Sequence, residues 1–167
     1  IAIDLPPSIQ ESLDKQTTRL RQTLGDDLVR WVPAPNMHLT LKFLGSLPLA
    51  HLDFIKRILT QSADSTPQFN LQIGGLGSFP NSKRPRVLWA GIHAPAGLPT
   101  LQKTIEDGAT RLGYNKEERP FSPHLTLGRV RQGLSAQELQ KVSTTFSAFQ
   151  LGKISTARVD SVYLYQS

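Results

Sequence analysis

The chain has 167 residues, 38% hydrophobic and 19% charged, enough apolar material for a packed core at a length that fits one domain. Its 19 Lys and Arg against 13 Asp and Glu leave a net charge of +6, which favours an anionic partner without naming one. The absence of Cys excludes disulfides, thiolate nucleophiles, zinc knuckles and iron–sulfur sites, so any chemistry falls to His, Ser, Thr, carboxylates, Lys or Arg.

Ile1 to Leu5 reads as a short strand stopped by Pro6-Pro7. Ser8 with Glu11 forms a capping-box pattern for a helix whose apolar face is Ile9, Leu13, Leu20 and Leu24, ended by Gly25. Val29 to Val32 and Met37 to Leu44 are predicted strands around a Pro33–Asn36 turn, and Leu49 to Ala63 is a second helix. Phe69 to Leu76 alternates as a strand, Gly74 to Arg86 is a long basic loop, and Arg86 to Ile92 is a strand. A helix over Leu98–Leu112, a Pro-bounded approach over Glu117–Pro123, a strand over His124–Val130 and a helix over Ser135–Phe146 follow. Arg158 to Tyr165 is a closing strand. Strands and helices interleave as an α+β domain spanning 1–167, with a β-α-β-β order expected twice. No apolar run approaches the roughly 18–20 residues of a membrane span. The first residues lack the basic flank of a signal peptide, so a cytoplasmic protein without a membrane partner is expected.

His38-Leu39-Thr40-Leu41 recurs as His124-Leu125-Thr126-Leu127, and these two histidines are half of the four in the chain. Alternation of period two puts His38, Thr40 and Lys42 on one strand face and Leu39, Leu41 and Phe43 on the other, toward the core. In the second copy His124 and Thr126 share a face while Leu125 and Leu127 are buried. Two halves packed about a pseudo-two-fold axis would set the two His-Thr pairs across one groove.

Such a groove suits phosphodiester chemistry. One neutral imidazole takes a proton from water while an imidazolium donates one to the leaving oxygen. The Thr hydroxyls stabilise charge on the non-bridging phosphate oxygens. No metal or other cofactor is required in this scheme. A purely structural pair of histidines is one competing reading. A metal site is another, with Asp4 or Asp160 supplying the third ligand usual for catalytic zinc.

With these motifs in place, the chain resembles the two-histidine (2H) phosphoesterase superfamily. Within it the likeness is to the RNA 2′,3′-cyclic phosphodiesterases, also called 2′-5′ RNA ligases. The resemblance rests on Ala2–Pro6, Trp31–Gly45, Pro85–Gly91 and Pro123–Arg129. It implies a bilobal fold, each lobe a small antiparallel sheet with outer helices, and an active site in the cleft between them. It implies hydrolysis of RNA 2′,3′-cyclic phosphate ends to 2′-phosphate, with reversible 2′-5′ ligation as the related reaction. His38, Thr40, His124 and Thr126 would be catalytic, with His124 as base and His38 as acid.

Arg129 matches the family's arginine five residues after the second histidine, although simple alternation turns it away from His124 unless a bulge or the strand end intervenes. Lys42, Arg84, Arg119, Phe121 and Ser122 are further candidates for holding phosphate or base, with Lys83, Arg86 and Phe79 in the same class. His51 and His93 lack a Thr partner, and read as a helix-surface residue and a loop residue respectively. The expected partner is RNA with a 2′,3′-cyclic phosphate end, tRNA fragments among the candidates, and a monomer suffices because one chain completes the cleft. A small cyclic nucleotide, 2′-5′ oligoadenylate, or binding of RNA ends without turnover are the competing functions.

Overall fold

The computed structural model describes every residue except 94, 153, 155 and 167. Its strands are β1 (Ala2–Asp4), β2 (Val29–Trp31), β3 (His38–Thr40), β4 (Phe69–Phe79), β5 (Val87–His93), β6 (His124–Val130) and β7 (Thr156–Val159). Its helices are α1 (Pro7–Leu28), α2 (Leu52–Asp64), α3 (Gly97–Arg111) and α4 (Ala136–Ala148). This is the expected α+β class, but the element order is not a doubled β-α-β-β.

Two antiparallel sheets form, and neither follows the halves of the sequence. β1 and β3 make a two-stranded sheet in which Asp4 faces His38 and Ala2 faces Thr40. The other five strands run in the order β2-β6-β5-β4-β7. β2, from the first half, therefore joins the sheet of the second motif. The expected closing strand is divided between the sheets: Val159 pairs with Phe69 in the larger one, and Tyr163 bridges to Ala2 in the smaller. One alternating run thus has two partners, which its own pattern does not distinguish.

Helix ends also differ from expectation for local reasons. α1 starts with Pro7 in its first turn after Pro6, so Ser8 lies inside the helix and forms no cap with Glu11. The chain continues past a kink at Gly25 to Leu28. The capping box occurs instead on α4. There the Ser135 side chain accepts from the Glu138 N–H, and the Glu138 carboxylate accepts from the Ser135 N–H at 2.7 Å.

One apolar core lies under both sheets. Leu39 on β3 and Leu125 and Leu127 on β6 are fully buried in it, with Leu41, Leu88, Ile105 and Leu13. Burying each such leucine is worth roughly 1.5–3 kcal/mol. β3 and β6 belong to different sheets but lie in contact. Their leucines share the core, and His38 and His124 are each half-buried on the other faces of their strands.

Beyond Thr40 the strand ends and the alternation fails. Phe43, expected in the core, is 79% exposed. Lys42, expected on the open face with His38, is buried: its ammonium meets Glu106 of α3 at 2.6 Å and donates to the Asn115 carbonyl at 2.6 Å. Glu106 also accepts from the Glu117 N–H at 2.9 Å. Lys42 is therefore a tie between the first motif and α3, and is not available to a phosphate. Leaving a buried charge without its partner costs about 3–5 kcal/mol. Lys42→Ala is expected to lower the unfolding free energy by that order in urea titrations, while a surface change such as Lys56→Ala leaves it within about 0.5 kcal/mol.

Candidate active site

β6 carries His124 and Thr126 on its open face between buried Leu125 and Leu127. The His124 Nδ1–H donates to the Ser122 carbonyl at 2.7 Å. A carbonyl only accepts, so in the neutral ring Nδ1 carries the hydrogen and Nε2 the lone pair. Opposite His124 on β5 stands Gly91, which puts no side chain beside the ring. Phe79 meets the imidazole edge-on at 4.9 Å between centroids, and Trp89 lies at 6.1 Å. His124 thus stands against an aromatic wall built from β4 and β5.

Two bulges make this wall. In β4 the register slips between Ile73 and Leu76, and Gly75 accommodates the extra residue at φ +73°. The slip places Gly77 opposite Trp89 and Phe79 opposite Val87. A Cβ on Gly77 would lie 2.2 Å from the Trp89 ring, so only glycine lets the indole lie across β4. The expected loop over Gly74–Arg86 is accordingly strand as far as Phe79. The remaining turn is closed by the Arg86 N–H on the Phe79 carbonyl at 2.7 Å.

The second bulge lies between β5 and β6. Trp89 faces Thr126, but Leu88 faces Gly128 and Val87 faces Arg129. Val87 and Trp89 share a face of β5 by alternation, so Arg129 shares the face of Thr126 and His124. Without the extra residue it would point to the core side.

The first motif has different neighbours. Tyr165 stacks on His38, with centroids 5.0 Å apart and planes 17° from parallel. Its hydroxyl donates to the Asp4 carboxylate, and Asp4 is the β1 residue opposite His38. Burial, followed by this hydrogen bond and the negative charge of Asp4, pushes the Tyr165 phenol up to about 12. Among the described residues, no three His, Asp or Glu side chains gather as a metal-ligand set.

Of the remaining candidates, Ser122 contributes its carbonyl to His124. Phe121 is half-buried against the core. Arg119 is committed to Glu117 through contacts of 3.0 and 3.2 Å, and this partner holds the Glu117 carboxyl down at about 2. An anion would have to displace that carboxylate to use Arg119. Arg84 lies in the β4–β5 turn, where Asn81 Oδ1 accepts from its backbone N–H at 3.1 Å. His51 bonds the Tyr114 hydroxyl at 3.1 Å through Nδ1, and His93, expected in a loop, is instead the last residue of β5, where it pairs with Gln72. Sequence reasoning missed Trp89 and Tyr165. The alternation of β5 could have flagged Trp89. Nothing local could have flagged Tyr165, whose approach depends on the chain crossing between sheets.

A family profile described as the 2′-5′ RNA ligase superfamily matches residues 6–167. The chain belongs to this superfamily, the 2H phosphoesterases. It is 30% identical to an RNA 2′,3′-cyclic phosphodiesterase of Methanothermobacter thermautotrophicus over all of this chain and 88% of that protein. It is 34% identical to the one from Methanocaldococcus jannaschii over 78% and 70% of the two chains. Among solved structures, a Thermus thermophilus protein superposes with a TM-score of 0.71 at 28% identity, covering 80% of this chain and 74% of that one. E. coli LigT complexed with 3′-AMP superposes at 0.67 and 29%, covering 95% and 80%. The bilobal 2H arrangement anticipated for the fold agrees with these likenesses. No helix among the described residues is long and apolar enough to cross a membrane.

Two measurements check this geometry. Gly77→Ala is expected to displace the Trp89 indole and change its near-ultraviolet circular dichroism, read in a Trp31→Phe background, with Phe79 and His124 losing their packed resonances. Tyr165 is expected to ionise near pH 12 rather than 10 in an ultraviolet titration, and Tyr165→Phe to abolish that step. The folded value is the higher one, so the stabilisation linked to this phenol is complete below pH 10 and lost as pH rises through 12.

Proposed function

We propose that this member of the superfamily hydrolyses RNA 2′,3′-cyclic phosphate ends to 2′-phosphates by acid–base catalysis between His124 and His38, residues 1–167 acting as one unit. The observation that carries the reading is the pair of identical His-Leu-Thr-Leu strands in contact, one of whose histidines has its tautomer set by the 2.7 Å bond to Ser122. The names of the relatives, RNA 2′,3′-cyclic phosphodiesterases, supply the substrate class.

In this reading His124 Nε2 accepts a proton from a water whose oxygen attacks phosphorus. The P–O3′ bond breaks, and His38 as imidazolium gives its proton to O3′, leaving a free 3′-hydroxyl and a 2′-phosphate. Thr40 and Thr126 donate hydrogen bonds to the non-bridging oxygens as charge accumulates. The unlike settings of the two rings support the division of roles. Ser122 orients His124 through Nδ1, as a base whose Nε2 must stay open requires, while His38 is stacked on Tyr165. In ligation an RNA 5′-hydroxyl takes the place of water, His124 again acting as base and His38 as acid; the roles exchange only in the reverse cleavage, where the 3′-hydroxyl attacks and the 5′-oxygen leaves. Phe79 supplies an aromatic surface beside the base for the terminal nucleobase.

The test uses RNA ending in a 2′,3′-cyclic phosphate, in EDTA. The expected product is the 2′-phosphate. His38→Ala and His124→Ala are each expected to lower kcat by roughly 10²–10⁴-fold, with circular dichroism unchanged. Unchanged substrate, exclusive 3′-phosphate product, or either variant at near-native rate would refute the reading.

A further inference from the structure

At the β2–β6–β5 end of the larger sheet, where Arg129 shares the face of His124, lies a cavity of about 940 Å³. Arg30, Arg86, Arg129 and Arg131 line it, and none of its lining residues is acidic. Arg30 faces Arg129 directly across β2 and β6. Like charges directly opposite on paired strands repel. None of the four guanidinium groups has a carboxylate partner among the described residues, whereas Arg21 and Arg119 each have one.

Arg131 is positioned rather than loose, its Nε donating to the Asp26 carbonyl at 2.8 Å. The nearby Asp26 carboxylate is itself taken by Arg21 at 2.6 Å, so it does not neutralise the cluster. Such a cluster stores repulsion that a polyanion relieves.

The cluster's position decides which anion. On β5, Gly91 faces His124 and Val87 faces Arg129, four residues that span about 13 Å at about 3.3 Å each. That is more than one phosphate step from the reacting centre. The bulge that turns Arg129 onto the histidine face makes the surface between them continuous. A cyclic mononucleotide at the histidines does not extend to Arg30 and Arg131. A strand of RNA does.

We propose that Arg30, Arg86 and Arg131 form a phosphate-binding track for the single-stranded RNA body upstream of the reacting end, with Arg129 bridging the track and the histidine site. This rests on the function proposed above and adds to it where the strand is held: oligonucleotides bind along the arginines by their backbone, and small cyclic nucleotides use only the histidine end. Phosphate contacts of this kind place the strand without reading its sequence.

The experiment compares wild type with the Arg30→Gln/Arg86→Gln double variant. Both side chains are exposed and neither has a hydrogen-bond or ion-pair partner among the described residues, and the single variants serve if the double variant is poorly folded. Two substrates are used, adenosine 2′,3′-cyclic phosphate and a short unstructured RNA ending in 2′,3′-cyclic phosphate. In parallel, fluorescence anisotropy follows binding of the same RNA ending in 2′-phosphate, which needs no turnover. The variant is expected to lose about tenfold or more in RNA affinity and in kcat/KM on RNA, while kcat/KM on the mononucleotide stays within about twofold. Losing two phosphate contacts lowers the slope of log affinity against log salt by about 1.4 for a single strand. Unchanged RNA affinity and salt slope would overturn the track, and so would an equal loss on both substrates. If wild type hydrolyses neither substrate, the proposed reaction fails while the anisotropy comparison still decides the track.

Discussion

The leucines of the two motif strands meet in one core, and the placement of every candidate group follows from that contact. Leu39, Leu125 and Leu127 are fully buried, and a one-residue slip of either strand would exchange them for His or Thr. Burying an imidazole or hydroxyl without a partner is costly, so the register is held from the apolar side. The histidines and threonines are thereby held on rigid strands without needing hydrogen bonds of their own to fix the backbone. β3 has only three residues and one sheet partner, β1, so its position depends on this packing and on the buried Lys42–Glu106 pair just beyond it.

Where strict alternation would turn a candidate side chain away from the His124 face, the fold inserts a residue. The β4 bulge at Gly75 brings Phe79 and Gly77 onto the open face, and the missing side chain at Gly77 makes room for Trp89. The bulge facing Leu88 and Trp89 does the same for Arg129. Both lie in the larger sheet, around the second motif, so extra residues shape the surface around His124 while His38 depends on neighbours brought from the chain termini.

This division explains what could be read from the sequence. The repeated tetrapeptide, its buried leucines and the α+β class follow from period-two alternation and helical periodicity, which are local and strong. The need for a bulge before Arg129 was also legible, because the arginine fell on the wrong face. Lys42 and Phe43 were misplaced because alternation was extended past the end of a three-residue strand. Once pairing stops, a lysine can turn inward to a carboxylate 64 positions away, and an aromatic can turn out. The capping box at Ser8 lost to Pro7, whose fixed φ suits the first helical turn. Tyr165 and Asp4 sit at opposite ends of the chain, and the bridge between Ala2 and Tyr163 that joins them is a long-range pairing with no local signature.

Acid–base catalysis by two histidines requires that they differ at the moment of reaction, one holding a proton and the other lacking it. Two identical tetrapeptides on equivalent strands would carry no such difference. The unequal sheets supply it. His124 belongs to a five-stranded sheet, with a carbonyl on Nδ1 and an aromatic wall at its edge. His38 belongs to a two-stranded sheet, with a phenol stacked on its face and a carboxylate on the opposite strand bonded to that phenol. None of these distinguishing partners lies within either tetrapeptide. In the proposed reaction, β2 and β7 completing the larger sheet, and the C-terminal segment returning to β1, are what breaks the symmetry that the repeated motif would otherwise impose.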